Sequence, residues 1–512
     1  MIRSIFIKAL LGVLFSTLCF NIQAQNLDDA LRYSQLLTGG SARVIGAGGS
    51  FGAMGGDFGV SSLNIAGLAD YKSKELMFTL SYNQANTDVR DGETLIGENN
   101  DGREVILENL AFITHTVPYY NDKLIASNWA IGIQQYSNYN QVFSYETATP
   151  GSIADRFAEL TNLSCPCPFD IDFNLEGFPF EEDLSTVSGA VFYDSLGMNY
   201  LPDYIFDEFG NQIENPVLNK AQIIDRSGSL NELVIAWAGK YKRGLRIGVG
   251  IGVPYISFSE DRFYSETDPN NDLVFNQLNF DESLSATGFG INLKLGIGYT
   301  IARRIRLGVG YQSPSWFRIN ETFSSTLFYD SDIFLDEPFL VSSPEGTFTY
   351  RLRTPARLTL SAGYLLIFDK LKGFINLDVQ RINYSGNSFN FTFNNDDPGE
   401  LEFQEQVNGD IDNELVAGYN YTLGSELAFG KYRFRAGVSL LGRPFFNEQN
   451  VFDTVYSAGV GYRLNKIFFD LAYQFRQVTE GYTPYSLGGN PALPVLVDTN
   501  VGKLALTVGF KL

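Results

Sequence analysis

The chain has 512 residues, with 58 Asp and Glu against 37 Lys and Arg, for a formal charge of −21. No basic tract interrupts that balance, which excludes nucleic acid as a partner, because phosphate backbones select clustered Lys and Arg. Aromatic residues make up 14% and glycine occurs 50 times, a mixture that suits a β protein with aromatic girdles facing lipid.

At the start, Arg3 and Lys8 flank the beginning of the apolar run ALLGVLFSTLCF, and NIQAQ follows. A positive stretch, an apolar stretch and a small-residue site read as a secretory signal peptide over 1–24, cut after Ala24. Its removal takes away two positive charges and leaves the mature chain near −23. Cys19 follows Leu18, which is too large for a lipoprotein cleavage site, so no lipid attachment is expected. Beyond residue 24 no apolar run reaches the roughly 18 residues of a membrane helix. Such a chain crosses a membrane only by closing a barrel that pairs all its backbone polar groups.

Residues 25–72 open with a helix-like stretch, LDDALRYSQLL, and become glycine-rich in GAGGSFGAMGGDFG, 46–59. A phosphate cradle would need a buried strand before the glycines and a helix start after them. No apolar strand precedes them, and Val60-Ser61-Ser62 replaces the Gly-Lys-Ser/Thr of a P-loop. The stretch lacks strand alternation, and small residues let backbone pass through a crowded lumen. It is therefore read as a plug inside a barrel.

From about residue 74 the chain alternates apolar with polar or small residues in segments of about 10–13 residues, the length of a tilted membrane strand. In LRIGVGIGVPY, Leu245, Ile247, Val249, Ile251, Val253 and Tyr255 alternate with Arg246, Gly248, Gly250, Gly252 and Pro254. Segments begin near 74, 107, 127, 229, 244, 284, 303, 347, 372, 413, 431, 454, 466 and 501. That predicts an all-β antiparallel transmembrane barrel of about 14 strands over 73–512, with the 25–72 hatch in its lumen. FDKLKG (368–373) and RLNKI (463–467) read as short periplasmic turns. Stretches 140–228, 259–283, 328–346, 385–412 and 477–500 read as long extracellular loops. In the largest, 140–228, Phe192, Leu196, Met198, Leu201, Ile205 and Phe206 either pack over the barrel mouth or form an apolar landing groove.

The stretch GGSARVIGAGGSFGAMGGDFGVSSLNIAGLADYKSKELMFTLSY, followed by this strand pattern, resembles the FadL/TodX family of outer-membrane transporters for hydrophobic compounds. LGVGYQSPSWFRINETF (307–323) resembles the family's Gly-x-x-Tyr-x-Ser strand, and 354–386 its Pro-led hairpin. Asn64-Ile65-Ala66 matches the family's Asn-Pro-Ala hatch motif, with Ile in place of Pro. The resemblance implies a monomeric barrel in the outer membrane of a Gram-negative bacterium, surrounded by lipid and lipopolysaccharide. A hydrophobic small molecule would enter a lumen pocket, and a hatch shift would release it sideways into the bilayer. The alternative is an interaction subunit, such as the FadL-like shuttle of type IX secretion, with secretion-system proteins as partners.

Phe51, Met54 and Phe58 either touch that ligand or pack the plug against the wall. Arg351, Arg353 and Arg357 fall on one face by alternation. They either hold a ligand carboxylate or pair with lumen carboxylates such as Asp378 or Asp470. Cys165 and Cys167, in SCPCPF, are a loop disulfide candidate; a metal site would need ligands that the single histidine, His115, does not supply nearby. No Gly-x-Ser-x-Gly elbow occurs, and neither an enzyme, a cofactor nor a metal is expected.

Overall fold

The computed structural model describes residues 27–512, apart from 38, 120–122, 154–155, 157–203, 207–211, 215, 271–272, 274, 332–337, 344, 370, 393–397, 450 and 488–489. The signal peptide, Cys165, Cys167 and most of the landing-groove residues lie outside the described residues, as do the side chains of Ile205 and Phe206.

Fourteen antiparallel strands close into a barrel. They are β1 (Glu75–Asp91), β2 (Thr94–Ile113), β3 (Leu124–Asn138, continued by Gln141–Pro150), β4 (Val217–Tyr241) and β5 (Leu245–Thr267). There follow β6 (Phe275–Ile301), β7 (Ile305–Gln312 and Trp316–Ser331), β8 (Gly346–Arg353 and Arg357–Ile367), β9 (Leu371–Asn383) and β10 (Ala417–Phe429). The last four are β11 (Tyr432–Gly442), β12 (Phe452–Arg463), β13 (Ile467–Tyr482) and β14 (Val495–Lys511). Closure comes from β1 pairing with β14, from Glu75↔Lys511 to Arg90↔Leu496. The ring of pairings is closed, the condition for a sheet to sit in lipid, with its shortest ladder between β2 and β3, Asn109–Ile113 on Ala130–Gln134.

Period-two alternation sorts the side chains. On β5 and β6, Ile247, Val249, Ile251, Leu293, Leu295 and Ile297 face outward and are exposed, while Arg246, Asn292 and Lys294 face inward and are buried. Exposed apolar rows of this kind continue around the wall, far beyond the patches a water-soluble monomer shows. From Leu245 to Tyr255 the belt spans about 25 Å of height at a tilt near 40°, the thickness of a barrel's lipid-facing band.

The strands run past that belt. β2, β4, β6 and β14 begin at 94, 217, 275 and 495, well before the 107, 229, 284 and 501 read from alternation. Above the belt the outer face leaves lipid and the inner face mixes polar with apolar residues (Leu218, Lys220, Gln222 and Ile224 are all buried), so the regular apolar signal is lost while the backbone ladder continues. The expected 385–412 loop likewise contains structure: Ser388–Asn390 pairs with Arg351–Arg353, and a helix spans Pro398–Glu414. Proline opens that helix, where its missing N–H costs nothing, and Phe403, Val407 and Ile411 form its single inward stripe at a spacing of four.

Residues 39–71 lie inside the barrel. A short helix (Ala42–Gly46) is capped by Ser41, whose hydroxyl accepts from Val44 N at 3.2 Å and donates to Asp57. Two 3₁₀ turns follow, Phe58–Ser62 and Ile65–Asp70. Asn64 caps the second, accepting from Ala66 N (3.2 Å) and donating to Gly52 O (3.0 Å) and Ile297 O of β6 (3.1 Å). The wall opposite is bare of side chains. A Cβ on Gly310 would sit 1.8 Å from Leu63 O, and one on Gly437 2.3 Å from the Ala47 carbonyl carbon. Backbone packs on backbone there, which only glycine allows.

Gly437→Val should therefore cost about 1–3 kcal/mol or more, because rigid main chain cannot yield to it. Gly409→Ala, in a helix with nothing within 4 Å of the new methyl, should gain about 0.5–1 kcal/mol. Thermal unfolding of both variants in detergent, followed by heat-modifiable gel mobility, measures the contrast.

Candidate functional site: a charged cavity above the inner segment

The N-terminal helix Leu27–Ser34 lies higher in the lumen than residues 39–71 and is pinned from several sides. Leu37 N donates to Tyr136 O (3.0 Å), Tyr139 Oη donates to Arg32 O (3.2 Å), and the Arg357 guanidinium donates to Ser34 O. The Arg32 guanidinium lies 4.0 Å from the centroid of the Phe258 ring. Burial pulls the Arg32 pKa down, but Asp29 beside it, with Tyr33 and Glu260, carries it above its usual value.

Between this helix and the strand ends bearing the long connections is a cavity of about 1290 Å³. Its apolar part includes Leu31, Leu36, Tyr136, Phe258, Leu284 and Phe403. Phe403 stacks on Phe391 at 5.1 Å, which makes the Pro398–Glu414 helix part of the cavity wall.

The charged side chains of the lining are largely self-matched. Arg32 pairs with Asp29, Arg226 with Glu260 and Glu480 (3.2 Å), and Arg262 with Glu260 (2.6 Å). Arg443 pairs with Glu448 and Asp453 (both 3.1 Å), Arg476 with Asp453 (3.5 Å) and Lys503 with Glu108. Glu104 differs. It accepts from the side-chain amides of Asn83 (3.4 Å), Asn138 and Asn140, and no basic side chain among the described residues pairs with it.

Below the cavity, two ion-pair clusters fasten the inner segment. Asp70 meets Arg246 (2.6 Å), Lys240 (2.7 Å) and Arg306 (3.1 Å) of the wall. Arg43 meets Glu426 (3.0 Å), which Arg435 also holds (2.7 Å). His115 acts on this segment through a relay: its Nδ1 lies 2.9 Å from Asn128 Oδ1, and Asn128 donates to Leu68 O (2.8 Å) and Tyr71 O (3.2 Å).

The residues singled out from the sequence are placed differently from one another. Phe51, Met54 and Phe58 are buried and none lines the cavity. Phe51 packs edge-on against Phe374 (5.1 Å), Met54 fills the space over Gly363, and Phe58 that over Gly132. They join the inner segment to the wall. Of the three arginines only Arg357 faces the lumen, and its partner is the backbone of the first helix rather than Asp378 or Asp470. Asp378 accepts from Gly52 N (3.2 Å), and Asp470 pairs with Arg435 (2.7 Å) and Arg463 (2.8 Å).

Arg351 and Arg353 are exposed on the outer face, a correction with a definite cause. Ser313-Pro314-Ser315 interrupts β7 and Thr354-Pro355-Ala356 interrupts β8 beside it. Lys294 of β6 faces Gln312, yet Ile291 faces Trp316, so four steps on β7 match three on β6. One extra residue inverts every later side chain.

Sequence reasoning passed over the cavity's own lining. The helix 27–34 was visible in LDDALRYS, but nothing local shows that it borders a cavity. The paired charges come from strands far apart in sequence. Among the described residues no group of three or more His, Cys, Asp or Glu could hold a metal ion.

A closed 14-strand barrel with an inward-folded N-terminal segment defines a FadL-like fold, and comparison with solved structures agrees. A Pseudomonas aeruginosa FadL homologue superposes with a TM-score of 0.52 at 10% identity, covering 93% of this chain and 99% of that one. The P. putida toluene transporter TodX gives 0.51 at 11% identity over the same shares. No protein-family model and no curated protein sequence matches the chain.

Asp70→Ala strands Arg246, whose side chain is only 2% exposed, without its carboxylate. Removing one partner of a buried pair costs about 3–5 kcal/mol. Hydrogen exchange should accelerate across 42–71 while β1–β14 stay protected, as local opening requires.

Proposed function

We propose that the chain is an outer-membrane channel for hydrophobic small molecules, in which the inner segment is a hatch that shifts to let cargo leave the lumen. The observation that carries this reading is the cavity bordered by the Leu27–Ser34 helix, which leads directly into an inner segment joined to the wall by ion pairs and packed side chains. The FadL-like fold supports it, since one solved structure of that fold is titled a toluene transporter. Apolar cargo gains nothing from an aqueous pore, whereas a path from a part-apolar cavity to hydrocarbon runs downhill throughout. The adjacent Pro314 and Pro355 interruptions support a sideways exit, because there two neighbouring strands break their ladder at the same height.

The cavity's charges narrow the cargo. Six of its seven basic side chains (Arg32, Arg226, Arg262, Arg443, Arg476 and Lys503, leaving Arg103) already hold carboxylates. A cargo carboxylate would compete with those pairs, meet Glu104, or have only Arg103, an exposed side chain, to receive it. Cargo with a neutral or hydrogen-bond-donating polar end is favoured over a bare carboxylate.

A tether tests the hatch. A Cβ on Gly46 would lie 3.3 Å from the Ala472 Cβ of β13, near disulfide spacing. With Cys165 and Cys167 replaced by Ser, Gly46→Cys/Ala472→Cys should pass radiolabelled toluene into vesicles when reduced and lose that activity when oxidised. Equal uptake in both states would remove the hatch from the mechanism. In the same assay, dodecanol should compete at least about tenfold better than dodecanoate; the reverse order would refute the charge argument.

A further inference from the structure

The two rims of this barrel carry opposite charge. At the rim of the long connections, residues 332–345 between β7 and β8 and 384–416 between β9 and β10 hold four and eight acids and no base. At the other rim, the turns from β2 to β9 carry Lys123, Lys242, Arg243, Arg303, Arg304 and Lys370 against Asp122 and Asp369. That count takes in the whole sequence of the four connections, the positions outside the described residues included. A chain with a net charge of −21 is therefore basic along one edge.

Four of these bases come together. Lys242 and Arg243 belong to the β4–β5 turn and Arg303 and Arg304 to the β6–β7 turn, and both turns flank the paired strands β5 and β6. A Cβ on Gly244 would sit 2.8 Å from Thr300 O, just before the second turn. All four residues are exposed, and none pairs with a carboxylate among the described residues. Arg304 donates to Tyr364 Oη at 3.4 Å, a neutral partner that leaves its charge in place. Just inside the wall, the ends of β4, β5 and β7 supply Lys240, Arg246 and Arg306 to one carboxylate, Asp70, so the inner groups add positive charge to the outer ones. The turn geometry does not itself call for arginine. Arg243 and Arg303 have φ of 66° and 63°, left-handed backbone in which glycine is the unstrained choice.

Depth points to the occupant. Ile301 and Ile305, at either end of the β6–β7 turn, are exposed on the outer wall, as are the rings of Tyr299, Tyr364 and Phe368 close by. Outward aromatic rings at the edge of an apolar belt mark the headgroup level of a bilayer. The four cations thus stand where lipid phosphates lie. Arginine forks onto phosphate through two parallel hydrogen bonds, and basic side chains at a membrane surface attract anionic lipid. A second copy of this chain is disfavoured as the occupant. Copies in one membrane share an orientation, which keeps each acidic rim on the far side of the bilayer.

We propose that Lys242, Arg243, Arg303 and Arg304 form a binding site for the headgroup of an anionic phospholipid in the leaflet that meets the short turns. The site rests on the membrane placement proposed above but not on the identity of the cargo. It holds lipid against the wall beside the Asp70 cluster.

The test uses the full chain in phosphatidylcholine nanodiscs containing a minor fraction of lipid brominated on its acyl chains. Tryptophan quenching reads the lipid near this rim, because Trp129 on β3 is exposed beside its cross-strand partner Trp237 on β4. Trp316→Phe removes the third tryptophan, which lies towards the opposite rim. Brominated phosphatidylglycerol should quench with at least about threefold higher apparent affinity than brominated phosphatidylcholine. Excess inorganic phosphate should not displace it. Lys242→Gln/Arg243→Gln/Arg303→Gln/Arg304→Gln should bring that ratio to about one. If the fourfold variant fails to fold, Arg243→Gly/Arg303→Gly, which suits the backbone at both positions, should still cut the ratio to about half its parent value. Asp91→Asn/Glu93→Gln, in the β1–β2 hairpin at the opposite rim, should leave it unchanged. Equal quenching by the two lipids in the parent overturns the proposal, as does a preference that survives in the Gln and Gly variants or disappears with inorganic phosphate. Binding of soluble polyglutamate through these residues, without a lipid preference, overturns it in favour of an acidic protein partner. Lost lipid preference with toluene uptake intact would sink this site alone; lost uptake with the preference intact would sink the transport reading alone.

Discussion

The interior of this barrel depends on main chain approaching main chain. Leu63 O against Gly310 and the Ala47 carbonyl against Gly437 leave less room than any side chain requires. A 14-strand wall can enclose a folded segment only where the two surfaces give up side chains together. Glycine in a strand weakens that strand and has no side chain to pack. The deficit is offset here by what the inner segment brings: Phe51, Met54 and Phe58 fill the space above Phe374, Gly363 and Gly132. The steric fit fixes position, and the ion pairs of Asp70 and Arg43 fix orientation.

Those charges carry a consequence for motion. Apolar contacts are non-directional and tolerate sliding, whereas Asp70 with Arg246 and Arg43 with Glu426 hold only in one register. A segment secured this way has one defined seat against the wall. The cavity sits directly on the helix that precedes the segment, so the cavity's floor and the inner segment share one stretch of chain. The matched charges around the cavity leave a mostly neutralised interior with Glu104 among amides.

Much of the architecture was legible because a lipid-facing wall imposes a period of two over a fixed height. Ile247, Val249 and Ile251 announce their strand, and the glycines between them announce what lies behind it. Legibility ended where that constraint ended. Above the belt, residues such as 94–106 and 217–228 remain strand with no regularly alternating apolar face to reveal it. The Pro398–Glu414 helix carries one thin stripe, Phe403, Val407 and Ile411, among acidic residues that read equally well as loop. Arg351 and Arg353 were misplaced because alternation was carried unchanged through Thr354-Pro355-Ala356. A single proline gives no warning that its neighbour strand is interrupted too, and only the pairing register shows the added residue. The cavity was illegible in a deeper sense: Arg226, Glu260 and Glu480 come from three strands, and their meeting is a property of closure.

The central claim is that the N-terminal segment fills the lumen and leaves no continuous aqueous path through the wall. Single-channel recording of the purified full chain in a planar bilayer addresses it directly. A stoppered barrel inserts without producing a steady ionic current; a stable open level from the unmodified chain at rest would show that water and ions pass where backbone is said to lie.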